Sequence, residues 1–429
     1  METGAADMTD TNERAARDEV LALARAAKGA QVQLAAAPAE TRTRALRAMA
    51  AAIMEEAGRI LDANAQDCAA AFALPTHLLD RLRLDRARLE AATGGLAQLA
   101  GLEDSVGKVG AEWTTHRGLL IRQRRVPLGL IAAIFEARPN VAVDLAGLAV
   151  RTGNALLLRP GVEARRSVLA LVEAMRRGLA GAGLDPRALA AVESPYRAAA
   201  NELLHLRGLV DLLIPRGGPG LIAEVTRTAS VPVIETGIGV CHIYVDRAAD
   251  LQMAVDITDN AKTSRPAVCN AAEALLVHRD VAGRFLPEVA ARLQAKGVEL
   301  RADPESLPLM PGARPAVEDD WGREFLDLVI AVRVVPSLDA ALEHIARYGS
   351  GHSEAIVTAD AEAAHAFLAA VDAACVYWNA STRFTDGYEF GYGAEAGIST
   401  QKLHVRGPMG PGSLLSSKFE ILGCGQVRE

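Results

Sequence analysis

From residue 118 onward, short unbroken apolar runs alternate with stretches of helical periodicity, and this alternation restricts the chain to one class of fold. Residues 128–135, 155–159 and 210–215 read as strands buried on both faces. Between and after them, Pro139 opens a helix to about Arg151, and residues 167–182 and 219–228 read as two more. Residues 231–234 and 242–245 read as further strands. A second cycle follows, with helices at 257–263, 281–296, 338–348 and 361–371 and strands at 274–278, 328–335, 355–358 and 375–378. Apolar strands separated by amphipathic helices specify mostly parallel, doubly wound α/β sheets. Ligands of such sheets bind beyond the carboxyl ends of the strands.

Before this region the pattern is helical: residues 13–69 and 78–101 carry apolar positions at three- and four-residue spacing. Residues 1–12 are small, polar and acidic and read as a disordered tail, without the basic and apolar regions of a signal peptide. A length of 429 residues is too great for one ordinary domain. The net charge of -7 argues against a nucleic-acid or anionic-membrane partner. Five scattered cysteines without a C-x-x-C pair indicate neither a disulfide framework nor a zinc site, and fit a reduced, cytoplasmic compartment. No metal-ligand cluster, Ser-His-Asp triad or phosphate-binding P-loop motif is present, so no metal is expected.

The chemistry is concentrated in Asn260-Ala-Lys-Thr-Ser-Arg-Pro-Ala-Val-Cys269-Asn270. A thiol attacks as the thiolate, and neighbouring cations favour that form. Lys262 and Arg265 are the candidates for this effect. The competing reading of Cys269 is a small buried apolar residue. Asn140, in Arg138-Pro-Asn140 after a buried strand, is either an amide donor to a developing oxyanion or part of a helix cap or Asx turn. Gly217 and Gly218 precede a helix, where backbone N–H groups receive phosphate, although a plain turn explains them equally well. His242 opens an apolar strand and reads as a core or supporting histidine. Ser353, in Gly349-Ser-Gly-His-Ser-Glu354, is either a contact for an anionic substrate group or part of a polar turn.

Taken together and in order, several stretches resemble the aldehyde dehydrogenase superfamily. They are Arg125-Val-Pro-Leu-Gly-Leu-Ile-Ala-Ala-Ile-Phe-Glu-Ala-Arg-Pro-Asn-Val141, Val231-Pro-Val-Ile-Glu-Thr-Gly-Ile-Gly-Val-Cys-His-Ile-Tyr-Val-Asp246, Asn260–Asn270, and Arg383-Phe-Thr-Asp-Gly-Tyr-Glu-Phe-Gly-Tyr-Gly. The similarity runs from about Ala36 to the end, and is strongest to the branch that reduces an acyl phosphate. It implies an aldehyde-dehydrogenase-like fold with two doubly wound α/β domains and a small oligomerisation element. The implied boundaries are a nicotinamide-cofactor domain over 13–256, with an extended oligomerisation segment near 109–127, and a catalytic domain over 257–383. Residues 384–429 would return to the cofactor domain and the oligomer interface.

The resemblance also implies a reaction: NADPH-dependent reduction of L-glutamyl 5-phosphate to L-glutamate 5-semialdehyde and phosphate, the second step of proline biosynthesis from glutamate. Cys269 would form the thioacyl intermediate and Asn140 would stabilise the oxyanion. Arg159, Gly217, Gly218 and Glu324 would contact the cofactor. Arg138, Ser353 and Arg383 are candidate substrate contacts. Pro160 and Val162 stand where this branch more often has Gly and Lys, which leaves Arg159, Arg165 and Arg166 for a 2′-phosphate and keeps NADH open as a donor. Glu235 matches a water-activating glutamate of hydrolytic relatives only loosely. A homo-oligomer, a dimer or tetramer, is implied, and pathway logic adds a glutamate 5-kinase as a possible partner. The rival readings are a coenzyme A-dependent acylating aldehyde dehydrogenase and a catalytically inactive scaffold relative.

Overall fold

The apolar runs become parallel strands, and their neighbours in space set the limits of two units. The structure, a computed structural model, describes residues 2–428, without the side chains of residues 2–10, Thr76 and His77. The first unit comprises the described residues up to Glu235, with Gly391–Gly397 and the chain from Met409; the second is Thr236–Phe390 with Ile398–Pro408.

The first unit opens with five helices, α1 (Glu2–Ala36), α2 (Ala39–Glu55), α3 (Ala57–Ala70), α4 (Thr76–Leu82) and α5 (Arg86–Gly101). Helix α1 covers most of the stretch expected to be a disordered tail. Its Ala, Glu and Asp composition contains no proline that would stop a helix. Two strands follow, β1 (Val109–Thr114) and β2 (Leu120–Pro127). The α/β part is β3 (Leu130–Phe135), α6 (Asn140–Arg151), β4 (Ala155–Pro160), α7 (Arg165–Gly181), β5 (Leu189–Ala191), α8 (Arg197–His205), β6 (Leu212–Arg216) and α9 (Pro219–Thr228). Its four strands are parallel in the order β5-β4-β3-β6, with β3 buried throughout. The expected strand over 231–234 is reduced to one bridge, Leu213 to Val233. Helix α7 packs on α2 through Gly178, where a Cβ would come within 2.5 Å of the Met49 nitrogen. Alanine there would push two backbones apart.

The second unit contains β7 (Cys241–Val245), α10 (Leu251–Thr263), β8 (Ala272–His278), α11 (Arg279–Gln294), β9 (Glu299–Ala302), β10 (Arg314–Pro315), β11 (Val329–Val335), α12 (Leu338–Tyr348), β12 (Ser353–Val357), α13 (Ala361–Ala370), β13 (Cys375–Trp378) and the short pair β14 (Ile398–Ser399) and β15 (Gly407–Pro408). Seven parallel strands form one sheet in the order β10-β9-β11-β8-β7-β12-β13. Leu275, Val277, Phe285, Leu286, Ile330 and Val332 centre its core.

Two expected boundaries shift. Strand β7 pairs with both β8 and β12, so the second unit begins at Thr236 and not near residue 257. Strand pairing is non-local and overrides position in the chain. The C-terminal stretch does not return as one piece: 384–390 and 398–408 stay with the second unit. The last strand, β16 (Leu415–Leu422), pairs antiparallel with β2, completing a three-stranded sheet β1-β2-β16 in the first unit. Among the described residues, no helix is long and apolar enough to cross a membrane.

Candidate active site

The turn between α10 and β8 carries Cys269, which is partly exposed and outside any disulfide. Its neighbour Asn270 fixes this turn. Asn270 Nδ2 donates to the Thr385 carbonyl at 2.8 Å, its Oδ1 accepts from the Arg383 guanidinium, and its carbonyl accepts from Thr382 Oγ1 at 2.7 Å. Arg383 Nε also donates to Ser264 Oγ at 3.1 Å, so both ends of the turn are tied to one segment. Sequence reasoning missed Asn270; its only signal was adjacency to the cysteine.

Beneath the turn lies the Gly237–Gly239 loop. Gly239 N–H donates to Glu324 Oε1 at 2.8 Å, and Val240 N–H donates to Ser350 Oγ at 2.9 Å. A Cβ on Gly239 would lie 1.5 Å from the Cys269 carbonyl oxygen and 2.6 Å from its Cα. Both contacts are backbone, so the turn itself would have to move. Gly239→Ala is therefore expected to lower kcat/KM by about 10²-fold, the usual cost of a misplaced reacting group. Steady-state kinetics and the rate of Cys269 alkylation by iodoacetamide check this; an unchanged alkylation rate would show that the turn tolerates the methyl group.

A second thiol supports the first. The buried Cys241 donates to the Cys269 carbonyl at 3.2 Å, and burial pushes its pKa well up, so it stays a thiol. Cys241 Sγ lies 3.8 Å from His352 Nδ1, which lies 2.8 Å from Ser353 Oγ. Ser353 Oγ and Tyr377 OH each meet Thr385 Oγ1 at 2.7 Å. Ser353, expected to touch substrate, is instead fully buried. The polar motif read as a loop ends where β12 begins, which turns this hydroxyl into the sheet.

The cations near Cys269 divide sharply. Lys262, nominated to favour the thiolate, is buried against Glu273 at 2.5 Å. That contact commits Lys262 to Glu273 and away from the thiol, while burial works against both charges, lowering the Lys262 pKa and lifting the Glu273 carboxyl to about 7. Arg265 is exposed. His242 is buried, as expected, its backbone N–H and Nδ1 both within 3.0 Å of Glu354 Oε2. Burial lowers His344 to about 3 and His352 to about 4, so both are neutral.

In the first unit the carboxyl ends of β3, β4 and β6 are latched by two carboxylates. Glu136 Oε2 accepts from Gly218 N–H at 2.9 Å, and Glu163 Oε1 accepts from Ala137 N–H at 2.7 Å. The Gly218 amide expected to meet a phosphate is thus held by Glu136. Ala137 has φ of 38°, a conformation uncommon for a residue with a side chain, and these bonds hold it there. Arg138 follows it, partly buried. Asn140 is exposed, begins α6, and makes no capping bond; Pro139 occupies the cap position. The helix-cap alternative for Asn140 therefore fails. Arg159 Nη1 donates to the Pro160 carbonyl at 3.1 Å, while its buried Nε has no partner. Glu235 accepts from Thr226 Oγ1 at 3.0 Å.

Residues 5–307 match the model of the aldehyde dehydrogenase family. The chain belongs to that family. A gamma-glutamyl phosphate reductase of Moorella thermoacetica is 54% identical over 407 residues, covering 94% of this chain and 97% of the relative. Another from Symbiobacterium thermophilum is 54% identical, covering 96% of this chain and all of the relative. The crystal structure of the Thermotoga maritima gamma-glutamyl phosphate reductase superposes with a TM-score of 0.92 at 44% identity, covering 96% of this chain and all of that one. As an aldehyde dehydrogenase, the chain uses a nicotinamide cofactor. Ligands of a parallel sheet bind at the carboxyl ends of its strands, where the unpartnered Arg159 Nε is a donor available to a dinucleotide. A pyrophosphate at the α9 N-terminus would meet the Gly218 N–H only once Glu136 releases it. Among the described residues, no group of three or more His, Cys, Asp or Glu is placed to hold a metal ion.

Proposed function

We propose that this aldehyde dehydrogenase reduces L-glutamyl 5-phosphate to L-glutamate 5-semialdehyde and phosphate, the second step of proline biosynthesis from glutamate, in the cytoplasm. The observation that carries this is the Cys269 turn, clamped at both ends and backed by a second thiol, in a chain 54% identical to gamma-glutamyl phosphate reductases over nearly their full length.

An acyl phosphate is already activated, so the Cys269 thiolate displaces phosphate without a strong acid and becomes a thioester. A nicotinamide cofactor, held by the residues named below, would supply a hydride to that carbonyl when bound. The resulting oxyanion is held by the Asn140 side-chain amide and the Cys269 backbone N–H. When it collapses, the aldehyde leaves and the thiolate is restored. Arg138 and Arg383 serve the substrate; Arg159, Gly217, Gly218 and Glu324 serve the cofactor. The thioester must be kept from water. Glu273 is paired with Lys262, Glu354 with His242, and Glu235 accepts from the Thr226 hydroxyl, so none of the three is proposed as a base that activates water.

The donor proposed is NADPH. Arg165 donates to the Glu193 carbonyl at 2.6 Å and Arg166 meets Asp67 at 3.4 Å. Each of these contacts uses one nitrogen, which leaves N–H groups on both guanidiniums for a 2′-phosphate, while Pro160 and Val162 keep NADH a competitor. A homo-oligomer is proposed through the β1-β2-β16 sheet, whose outer residues Trp113, Phe419, Ile421 and Leu422 are exposed apolar groups. A kinase that makes the acyl phosphate remains the proposed upstream partner.

The test runs the reaction backwards. Oxidation of glutamate 5-semialdehyde is expected to require inorganic phosphate. If coenzyme A replaced phosphate, the chain would be an acylating aldehyde dehydrogenase of the other kind; if neither supported turnover, the inactive-scaffold reading would stand.

A further inference from the structure

Two arginines flank the nucleophile, and one carboxylate is close enough to offset Arg383. Arg383 spans the Cys269 turn, bonded to Ser264 at one end and Asn270 at the other. Arg265 follows Ser264 directly and is exposed. Among the described residues it forms no ion pair. The Arg383 pKa is lowered by burial first and by the Arg265 charge second; Asp386 and the Cys269 sulfur act in the other direction. Asp386 Oδ1 meanwhile accepts from Tyr388 N–H at 2.8 Å. Like charges brought together around a turn favour an anion between them. While Cys269 is a thiolate it supplies part of that charge. Once it becomes a thioester, the charge is gone and the arginines need another partner.

We propose that Arg265 and Arg383, with the Ser264 hydroxyl, form the subsite that holds the phosphoryl group of the substrate. The inference rests on the acyl-phosphate reading above. As the C–S bond forms, the bond from the acyl carbon to the bridging oxygen breaks, and its electron pair leaves with phosphate. The negative charge passes from sulfur to phosphate beside the same two guanidiniums. Of these, Arg265 can take phosphate oxygens in fork geometry, and Arg383, with Nε on Ser264 and Nη1 on Asn270, offers Nη2. Distance along the substrate favours phosphate over the other anion available. The bridging oxygen is bonded to the carbon that Cys269 attacks, whereas the α-carboxylate lies at the far end of a five-carbon chain. An anion held by residues of the Cys269 turn itself is the near one.

The experiment uses the full chain and phosphate-dependent oxidation of glutamate 5-semialdehyde, with KM measured separately for phosphate and for the aldehyde. Arg265→Gln is expected to raise the KM for phosphate by about 10- to 100-fold, the effect of a lost charge-assisted bond. The KM for the aldehyde should move by less than about threefold. Arg265→Lys should recover part of the loss. Inorganic phosphate should slow iodoacetamide alkylation of Cys269 in the wild type and not in Arg265→Gln, a readout that needs no turnover. An unchanged KM for phosphate overturns the subsite, and a rise confined to the aldehyde KM reassigns the arginines to the α-carboxylate. A wild-type enzyme indifferent to phosphate overturns the acyl-phosphate reading and the subsite with it.

Discussion

Replacing Cys269 by serine is expected to abolish turnover, lowering kcat by about 10⁴-fold or more. Serine fits the same space, and the turn is held by backbone and by Asn270, Thr382 and Arg383, none of which needs the sulfur. The Cys241 bond also goes to the Cys269 carbonyl, which serine retains. What is lost is chemical: a hydroxyl is not appreciably ionised near neutral pH, and the neighbouring guanidiniums cannot change that. Cofactor affinity should be preserved, because the dinucleotide edge proposed above is built on β3, β4 and β6, which contain none of the turn's residues. Steady-state rates and quenching of protein fluorescence by NADPH measure the two separately. Turnover above about 1% of wild type would remove Cys269 as the nucleophile.

Asn140→Ala carries the next largest effect, a fall in kcat of about 10²–10³-fold, corresponding to about 2.7–4 kcal/mol of lost oxyanion stabilisation. The structure makes this a clean experiment. Asn140 is exposed and does not cap α6, so alanine, a good helix former, should leave the melting temperature nearly unchanged. A drop in thermal stability with kcat changed less than tenfold would point to a structural role for the amide.

Most of the framework was legible because the strands announce themselves. A run such as Leu130–Phe135 has no polar residue, and glycine or proline lies within or beside most of the runs in the first unit. Position in the chain misled where pairing is non-local: β7 follows the cofactor unit in sequence but belongs between β8 and β12. Cys269 and Asn140 stood out in the sequence because few residue types supply a nucleophile or an amide donor, and their roles are the ones proposed above. Their supports were not. Glu136 acts on an amide 82 residues away, and Asn270 on a segment more than 110 residues away. Ser353 was misread because one residue decides whether a hydroxyl ends a loop or starts a strand, and those two states face opposite environments. Lys262 was misread because its buried partner, Glu273, lies beyond the cysteine on the next strand.

The pairing of β2 with β16 orders events during synthesis. Strand β2 is made early, yet its partner follows only after the whole second unit, with Arg124 and Glu420 separated by 296 positions. On the ribosome the β1-β2 hairpin therefore waits with an open edge, and Trp113 waits for the Phe419 ring it will meet edge-on. An open edge bearing apolar side chains is the kind that recruits strands from other nascent chains. Arg124 and Arg125 lie on that edge without a β1 carboxylate partner, and like charges there would discourage two waiting hairpins from pairing until β16 brings Glu420 to Arg124.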